Sequence, residues 1–406
     1  MAGLEGPCSL YIHIPFCAGT CDYCDFYSIP VKAEDPRLDH YVDALLADAE
    51  YILTVFGIRR VPTLYIGGGT PSLLGGMRIA RLLVGLGSLM PNSPLEITVE
   101  ANPESADGSF LEACRVGGVT RISLGVQTFH EPSRRLVHRV GEGALLPERL
   151  RLVREYFGAA FSADLITGLP GQDREVLAGD LEKLLSFTPG HISLYALTPG
   201  AGTPLVADPR FKTFLPPVDE ADRLWLMGRD TLERAGYGQY EVSNFALSGK
   251  ESLHNIRYWR MENWLGLGPA ASGTIIDDRV GRGTRYTVMA DVDAYLDTPV
   301  EDRIFSGDRA LSPLKKKPLI LVESLDRIVL MKETCLMGFR SIEGPDPQLF
   351  IRRFGRDIAT CIPGTLARWW DRGLVRPDKV ALTREGLLFL DPFLMDCFEE
   401  LEHKER

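Results

Sequence analysis

The sequence predicts an α/β fold whose main part is a parallel sheet, followed by a smaller α+β unit. Two observations support this fold class. Six short β-branched or aromatic runs alternate with segments of helical spacing, and the alternation stops after Leu197. Parallel strands need crossover helices, so the repeat is either an open doubly wound sheet or part of a (β/α) barrel. Both architectures place a ligand site at the carboxyl ends of the strands.

Each predicted element of the alternating part has a clear pattern. The predicted strands are Ser9–Ile14, Thr63–Gly67, Glu96–Ala101, Arg121–Val126, Phe161–Thr167 and His191–Leu197. The predicted helices between them are Leu38–Phe56, Arg78–Leu89, Phe110–Val116, Leu146–Phe157 and Arg174–Phe187. The strands have β-branched enrichment, and the helices have apolar residues three and four positions apart. A further helix is predicted at Val218–Ala235, after a turn-rich stretch.

The rest of the chain has a different composition. Residues 236–273 are rich in aromatic residues and glycine, which favours strands and loops over a long helix. Residues 301–318, with a basic run and two prolines, are predicted to be a connector. Helices are then predicted at Leu325–Gly338, Asp346–Phe354, Pro363–Arg372 and Arg384–Glu400, with a β-hairpin over 374–383. The predicted domains are a core barrel (1–240), an aromatic and glycine-rich extension with connector (241–320) and a winged-helix-like domain (321–406).

Composition excludes several classes of protein. The chain has 406 residues, of which 45% are hydrophobic and 25% charged, so overall disorder is excluded. The net charge of −10 argues against a protein that binds nucleic acid by bulk electrostatics. No run approaches the roughly 18 apolar residues of a membrane span, and the N-terminus has no signal-peptide pattern. A cytoplasmic protein without a membrane span is therefore expected.

The strongest chemical signal is a cysteine cluster directly after the first predicted strand. Cys17, Cys21 and Cys24 have the spacing C-x3-C-x2-C, and three thiolates can hold three irons of an iron–sulfur cubane while leaving the fourth open. A zinc site is the alternative, with His13 as a candidate fourth ligand. A chance grouping of three buried cysteines is the other alternative. The remaining cysteines are interpreted as ordinary buried residues: Cys8, Cys114, Cys335, Cys361 and Cys397.

Polar and glycine residues follow the later predicted strands. A triple-glycine turn comes directly after the second strand, and its missing side chains let the backbone approach a ligand closely. Side chains able to pair with carboxylate or ribose groups lie at or near the following strand ends. These candidate residues are Gly68, Gly69, Thr70, Glu100, Gln127, Arg139 and Asp164.

The cysteine spacing at the start of a (β/α) pattern resembles the radical S-adenosylmethionine superfamily. This resemblance implies a partial (β/α)6 TIM-like barrel, a [4Fe-4S] cluster on Cys17, Cys21 and Cys24, and S-adenosylmethionine chelated to the open iron. It implies that the glycine turn receives the methionyl ammonium and that the polar residues at the strand ends line the cofactor site. It also assigns cofactor contacts to Tyr11, Tyr23 and Ala196.

The whole chain resembles the oxygen-independent coproporphyrinogen oxidase-like group. The motifs are LYIHIPFC, YIGGGTPSLL, VEANPE, GVQTF, DLITGLPGQ, HISLYALTPGAGTPL, QYEVSNFA and HNIRYW. Coproporphyrinogen dehydrogenases of this group have a fourth cysteine where this chain has Phe26, and a longer segment before the cluster. Both differences match the HemW-type heme chaperones, in which an HNxxYW motif is implicated in heme binding. The resemblance therefore makes His254 a candidate heme ligand, whereas Ser272 stands where family members usually have histidine.

Three functions remain to be distinguished. The resemblance implies a radical S-adenosylmethionine heme chaperone, whose partners would be heme-accepting apoproteins and an electron donor. The alternative is an oxygen-independent coproporphyrinogen III oxidase, which converts propionates to vinyl groups by oxidative decarboxylation. A third alternative takes the winged-helix-like end as a nucleic-acid module, which the acidic charge balance argues against.

Overall fold

The computed structural model describes residues 6–405, apart from positions 199, 201, 209–210, 212 and 304–318. Its centre is a sheet in which six strands run parallel in chain order. These strands are β1 (Ser9–Ile14), β4 (Thr63–Gly68), β5 (Glu96–Ala101), β6 (Arg121–Gln127), β7 (Phe161–Thr167) and β8 (His191–Ala196). The six predicted strands are thus confirmed to within one residue at each end.

The barrel is partial, because its first and last parallel strands pair with other elements. The described strands form a twelve-stranded sheet in the order β14-β13-β12-β11-β1-β4-β5-β6-β7-β8-β10-β9. The outer strands are β9 (Gly238–Gln239), β10 (Asn244–Ala246), β11 (Trp264–Leu267), β12 (Ser272–Asp277), β13 (Arg282–Val288) and β14 (Ile320–Leu325). Two short strands, β2 (Phe16–Cys17) and β3 (Ile29–Pro30), pair separately beside the cysteine loop. The partial-barrel prediction is confirmed.

Helices cover the outer face of the six parallel strands. They are α1 (Arg37–Val55), α2 (Gly75–Leu89), α3 (Gly108–Val116), α5 (Leu146–Phe157), α6 (Arg174–Leu185) and α8 (Val218–Arg234), whereas the short helices α4 (Glu131–Leu136) and α7 (Pro204–Ala207) follow the carboxyl ends of β6 and β8. The predicted helices in this part are confirmed with starts up to three residues earlier, whereas α4 and α7 were not predicted. Asp107 and Asp173 begin α3 and α6 by accepting a backbone N–H at 2.8 and 2.9 Å, which is the usual N-cap bond.

One apolar stretch, Pro71–Leu89, has the length and a mean hydropathy of 1.3 that could suit a membrane span. Its helix α2 is instead the crossover between β4 and β5, and it packs against α1 and α3. The side chains that it buries there are Ile79, Leu82, Leu83 and Leu86. Of the apolar stretch, 33% is buried, so this packing accounts for part of its apolar composition.

The parallel strands direct apolar side chains outward, under the surrounding helices, and polar side chains inward, into the lumen of the barrel. In β5, Ile97 and Val99 join the core under the helices, whereas Glu96, Thr98 and Glu100 point the other way, as the two-residue period of a strand requires. The same alternation in neighbouring strands produces a polar lumen with a cavity of about 50 Å³. Its lining is Tyr65, Thr98, Glu100, Arg121, Ser123, Ser162, Asp164, His191, Ser193, Tyr195, Ser252 and Asn255.

The extension and the C-terminal part add to the sheet and form a second core. The helices here are α9 (Leu253–Trp259), α10 (Val292–Leu296), α11 (Val300–Arg303), α12 (Arg327–Gly338), α13 (Pro347–Phe354), α14 (Ile358–Cys361), α15 (Pro363–Asp371) and α16 (Leu390–Glu405). Within the aromatic and glycine-rich stretch, strands and loops are confirmed, but the short helix α9 was missed. Strand β14 extends the main sheet by pairing with β13, although the sequence indicated no strand there.

Several C-terminal predictions need correction. The hairpin over 374–383 reduces to one antiparallel bridge between Val375 and Leu382. The helix predicted at Arg384–Glu400 is a 3-10 turn, Gly386–Phe389, followed by α16. The predicted connector lies outside the described residues beyond Arg303. The winged-helix assignment and the domain boundaries at 240 and 320 stay predictions.

Candidate functional site

The cysteine loop lies at the carboxyl end of β1. Cys17 ends β2 and is 9% exposed, Cys21 is 5% exposed, and Cys24 is half-buried. A backbone bond of 3.1 Å from Cys24 N–H to the Cys21 carbonyl closes a turn between two of the thiols. The imidazole Nδ1 of His138 lies 2.6 Å from Asp22 Oδ2 and ties the loop to the segment after α4. The three thiols are therefore presented by one anchored loop.

Two side chains contact the cysteine sulfurs directly, and a third side chain forms hydrogen bonds with both of them. Thr70 Oγ1 lies 3.0 Å from Cys17 Sγ, and Arg139 Nη1 donates to Cys21 Sγ at 3.8 Å. Asn102 Nδ2 donates to Thr70 Oγ1 at 3.0 Å, so the threonine hydroxyl proton is free to point at the Cys17 sulfur. Asn102 Oδ1 accepts from Arg139 Nη2 at 2.7 Å. Asn102 was not predicted, although its place in the VEANP motif, two residues after Glu100, could have indicated it.

His13 is already engaged at both ring nitrogens. Its Nε2 lies 2.9 Å from the Tyr27 carbonyl, which can only accept, so Nε2 carries the proton and Nδ1 accepts from the Tyr11 hydroxyl at 2.9 Å. Burial lowers the pKa of His13 and keeps it neutral. Among the described residues, no three His, Cys, Asp or Glu side chains are arranged to hold a single ion. The zinc alternative therefore loses its candidate fourth ligand.

The triple-glycine turn packs directly beneath the cysteine loop. Gly68 has φ +111°, and a Cβ there would lie 2.6 Å from the His13 ring. A Cβ on Gly69 would lie 2.6 Å from the Phe16 carbonyl oxygen. Gly68 N–H donates to Glu100 Oε2 at 3.0 Å. Glycine is required at both positions because the turn approaches β1 and β2 closely.

Two carboxyl groups project into the lumen beneath this turn. Glu100 accepts from the Tyr65 hydroxyl at 2.6 Å, and Asp164 accepts from the Ser123 hydroxyl at 3.4 Å. Burial, together with the charge of Asp164, raises the pKa of Glu100 to about 7. Burial likewise raises the pKa of Asp164 to about 6. Near neutral pH these groups can therefore switch between hydrogen-bond donor and acceptor.

The remaining candidates lie around the same rim. Gln127 ends β6 with φ +65°, next to a register shift in the pairing of β6 with β7. Ala196 ends β8 and is exposed. Burial raises the pKa of the Tyr23 hydroxyl well above its ordinary value, so this group stays neutral. Phe26, at the fourth-cysteine position, is 65% exposed.

His254 does not join this group. It lies at the opposite end of the sheet, where its Nδ1 is 2.8 Å from the hydroxyl of Thr63, the first residue of β4. The Thr63 hydroxyl donates to Ser9 Oγ at 2.9 Å, so His254 Nδ1 carries the proton. His254 is 1% exposed, and burial together with the charge of Arg257 lowers its pKa to about 3. Its Nε2 is buried without a hydrogen-bond partner among the described residues.

Helix α9, which carries His254, closes the amino end of the lumen. Glu96, the first residue of β5, accepts from the backbone N–H groups of Leu253 and His254 at 3.1 and 3.0 Å. Arg121, the first residue of β6, donates to the same carboxylate at 3.2 Å. Ser272, at the position where a histidine was expected, lies 2.8 Å from the Thr287 hydroxyl. In the described conformation, therefore, α9 forms the floor of the barrel and His254 faces inward.

Comparison with known proteins agrees with this architecture. Residues 11–184 match the family model of the Radical SAM superfamily. The chain is 38% identical to heme chaperone HemW of Escherichia coli over 69% of this chain and 74% of that protein. It is 37% identical to mouse radical S-adenosyl methionine domain-containing protein 1, mitochondrial, over 94% of this chain and 82% of that protein.

The chain belongs to the HemW heme chaperone family of radical SAM proteins. The cofactors characteristic of the radical SAM superfamily are a [4Fe-4S] cluster and S-adenosylmethionine. Its fold resembles the coproporphyrinogen III oxidase HemN of Escherichia coli, a radical SAM enzyme, with a TM-score of 0.78 and 25% identity. That similarity covers 97% of this chain and 90% of the oxidase. This member of the HemW family therefore has the same overall fold as the oxidase.

We expect Glu100→Gln to reduce the pH dependence of stability. The folded-state pKa of Glu100 lies above its ordinary value of 4.5, so its contribution to stability is complete below about pH 4.5 and is lost as pH rises through about 7. Urea unfolding at pH 5 and pH 8 should show the wild type losing about 1–2 kcal/mol more than the variant. Glu155→Gln, at an exposed position, is the matched control. Equal losses in wild type and Glu100→Gln would contradict the expectation.

Proposed function

We propose that this chain is a heme chaperone that carries a [4Fe-4S] cluster and S-adenosylmethionine, binds heme and delivers it to apoproteins. The observation that best supports heme binding is the hydrogen bonding of the His254 ring. Its Nδ1 donates to Thr63 while Nε2 keeps a free lone pair. Metal-binding histidines commonly donate one ring N–H to a protein acceptor and ligate through the other nitrogen. Heme iron accepts such an axial imidazole.

The thiols at the other end fit the cluster. Cys17, Cys21 and Cys24 would hold it, and when bound it supplies the electron that cleaves the sulfonium of S-adenosylmethionine. Arg139 brings a positive charge to the Cys21 sulfur, and Thr70 directs a hydroxyl proton at the Cys17 sulfur. Both contacts stabilise thiolates.

The rim and lumen residues fit the second cofactor. Glu100 and Asp164 supply carboxyl oxygens for ammonium or ribose hydroxyl groups, and both line the lumen cavity of about 50 Å³. The buried Nε of Arg139 has no hydrogen-bond partner among the described residues, so this guanidinium retains a donor for a carboxylate. We assign Tyr11, Tyr23, Gly68, Gly69, Thr70, Gln127 and Ala196 to the same site, as the superfamily resemblance implies.

Heme uptake through His254 requires α9 to move away from Glu96. The imidazole is 1% exposed in the closed floor, so iron can reach Nε2 only when the segment that carries it opens. Recipients of the heme would be apoproteins, and an electron donor would reduce the cluster. We place this activity in the cytoplasm, and transient contact with a membrane-associated recipient is compatible with it.

Coproporphyrinogen III oxidation is the second candidate function. The similarity to the oxidase HemN over nearly the whole chain favours it. Against it, the fourth cysteine of the oxidase signature is replaced by Phe26, which lies exposed beside the cysteine loop. The HemW relatives also match this chain at higher identity than the oxidase does. The chaperone is therefore the better-supported function.

Anaerobic reconstitution with iron and sulfide tests the cluster. We expect about four irons and four sulfides per chain, the cubane stoichiometry. Cys17→Ala, Cys21→Ala and Cys24→Ala should each abolish this content, because each removes one of three protein ligands. Cys114→Ala, which changes a buried cysteine on α3, should leave it intact. One tightly bound zinc with no sulfide would contradict the cluster assignment.

Titration of the reduced cluster with S-adenosylmethionine, followed by EPR, tests the second cofactor. Asp164→Asn should weaken cofactor binding about tenfold, because a buried charge-assisted hydrogen bond contributes about 1–3 kcal/mol. Asp219→Asn changes an exposed carboxylate on α8 and is the matched control. The same titration midpoint in wild type and Asp164→Asn would remove this residue from the site. A spectrum that excess cofactor does not change would exclude the cofactor itself.

Parallel assays for heme binding and coproporphyrinogen consumption separate the two candidate functions. We expect a Soret band on addition of heme and no multiple-turnover product from coproporphyrinogen III. His254→Ala should shift the Soret band and lower heme affinity while leaving the iron content of the cluster unchanged. His403→Ala, at an exposed position on α16, controls for nonspecific histidine ligation. Multiple turnover to protoporphyrinogen would overturn the chaperone, and an unchanged Soret band in His254→Ala would remove this residue as the ligand.

A further inference from the structure

Three arginines lie close together on the outer side of the barrel floor. Arg60 and Arg260 are exposed, and Arg257 of helix α9 is half-buried. Hydrogen bonds hold this arrangement at the beginning of β1. The Arg60 carbonyl accepts from Cys8 N–H at 3.0 Å, and Arg257 Nε donates to Ser9 Oγ at 2.7 Å. Two separate segments of the chain thus meet at one edge of the sheet, where the charges of Arg60 and Arg260 both act on Arg257.

Positive charge exceeds negative charge in this arginine cluster. Glu262 forms an ion pair with Arg257 Nη1, whereas no ion pair of Arg60 or Arg260 occurs within the described part of the chain. The other amino group, Arg257 Nη2, is buried without a hydrogen-bond partner among those residues. Burial lowers the pKa of Arg257, and the charges of Arg60 and Arg260 lower it further. Such a concentration of like charge, in a chain of net charge −10, favours an anionic ligand.

Apolar surface adjoins the arginine cluster on the same helix. Leu253, Ile256 and Arg260 are three and four residues apart, so they share one face of α9 and its C-terminal cap. Leu253 is 40% exposed and Ile256 is half-buried. This face therefore combines an apolar area with guanidinium groups at one end. A ligand that complements it has a flat apolar body and carboxylates along one edge.

We propose that Arg60 and Arg260 of this arginine cluster bind the propionate carboxylates of a porphyrin, with the apolar face of α9 against the ring and the half-buried Arg257 adding positive charge. The proposal rests on the proposed function, in which heme is the cargo. Guanidinium groups pair bidentately with carboxylates, which positions a ligand as well as attracting it. With its propionates held outside the floor, heme would be stationed beside the helix that carries His254. The cluster is thus a positioning site for the porphyrin before iron ligation.

Porphyrins with free and with esterified propionates distinguish this role from general hydrophobic binding. The full chain, with its [4Fe-4S] cluster reconstituted, is titrated with heme and with heme dimethyl ester. Binding is measured from the Soret band. The variant carries both Arg60→Glu and Arg260→Glu, and Arg151→Glu, at an exposed position on α5, is the matched control. We expect the double variant to bind heme about tenfold more weakly, a loss of about 1.4 kcal/mol shared between two exposed charged bonds. Its affinity for the diester should equal that of the wild type.

Each other outcome has a distinct meaning. Unchanged heme affinity in the double variant, or equal weakening for heme and its diester, would overturn the arginine cluster while leaving the chaperone function standing. A different result is that the wild type takes up no heme but binds iron-free protoporphyrin with the same dependence on the arginines. That result would support the arginine cluster as a porphyrin site and would contradict the proposed heme function. If the wild type binds neither porphyrin, both fall. Urea unfolding midpoints of both variants within the error of the wild type establish that folding is preserved.

Discussion

The buried carboxylate of Glu96 organises the lower half of this molecule. It is 4% exposed, and its partners are the Arg121 guanidinium and the first backbone N–H groups of helix α9. A buried charge of this kind persists only when it is paired and hydrogen-bonded. Because α9 is held against the amino ends of β4, β5 and β6 in this way, the lumen is closed from below. That closure keeps His254 neutral and contributes to the enclosure that raises the pKa of Glu100 and Asp164.

The upper end depends on Asn102, which contacts both residues that touch the cysteine sulfurs. Its amide orients Thr70 toward Cys17 and accepts from Arg139, whose guanidinium reaches Cys21. The glycine turn allows this arrangement, because any side chain there would collide with β1 or β2. The loop that carries the thiols is therefore supported by neighbouring elements as well as by its own turn. Such support gives a fixed geometry to ligands that lie on a loop.

Local patterns explain which parts of the structure could be predicted. The six parallel strands were predictable because each has buried β-branched residues and turn residues at its end, and these signals are local. Helix α9 was missed because its sequence, LHNIRYW, is short and aromatic, and its first turn is stabilised by the distant Glu96. Asn102 was missed for a similar reason, since its role comes from contacts with residues 32 and 37 positions away. The burial of His254 depends on the whole floor, so no local pattern could indicate it.

The separation between the two ends constrains how the chain could use heme. The glycine turn follows the carboxyl end of β4, whereas His254 contacts Thr63 at its amino end. Six residues of strand rise about 3.3 Å each, so these two points are roughly 17 Å apart. While α9 is closed, this separation is several times the contact distance that a reaction between groups at the two ends would require. The proposed heme site at His254 is therefore separate from the proposed cofactor site at the rim as long as α9 is closed.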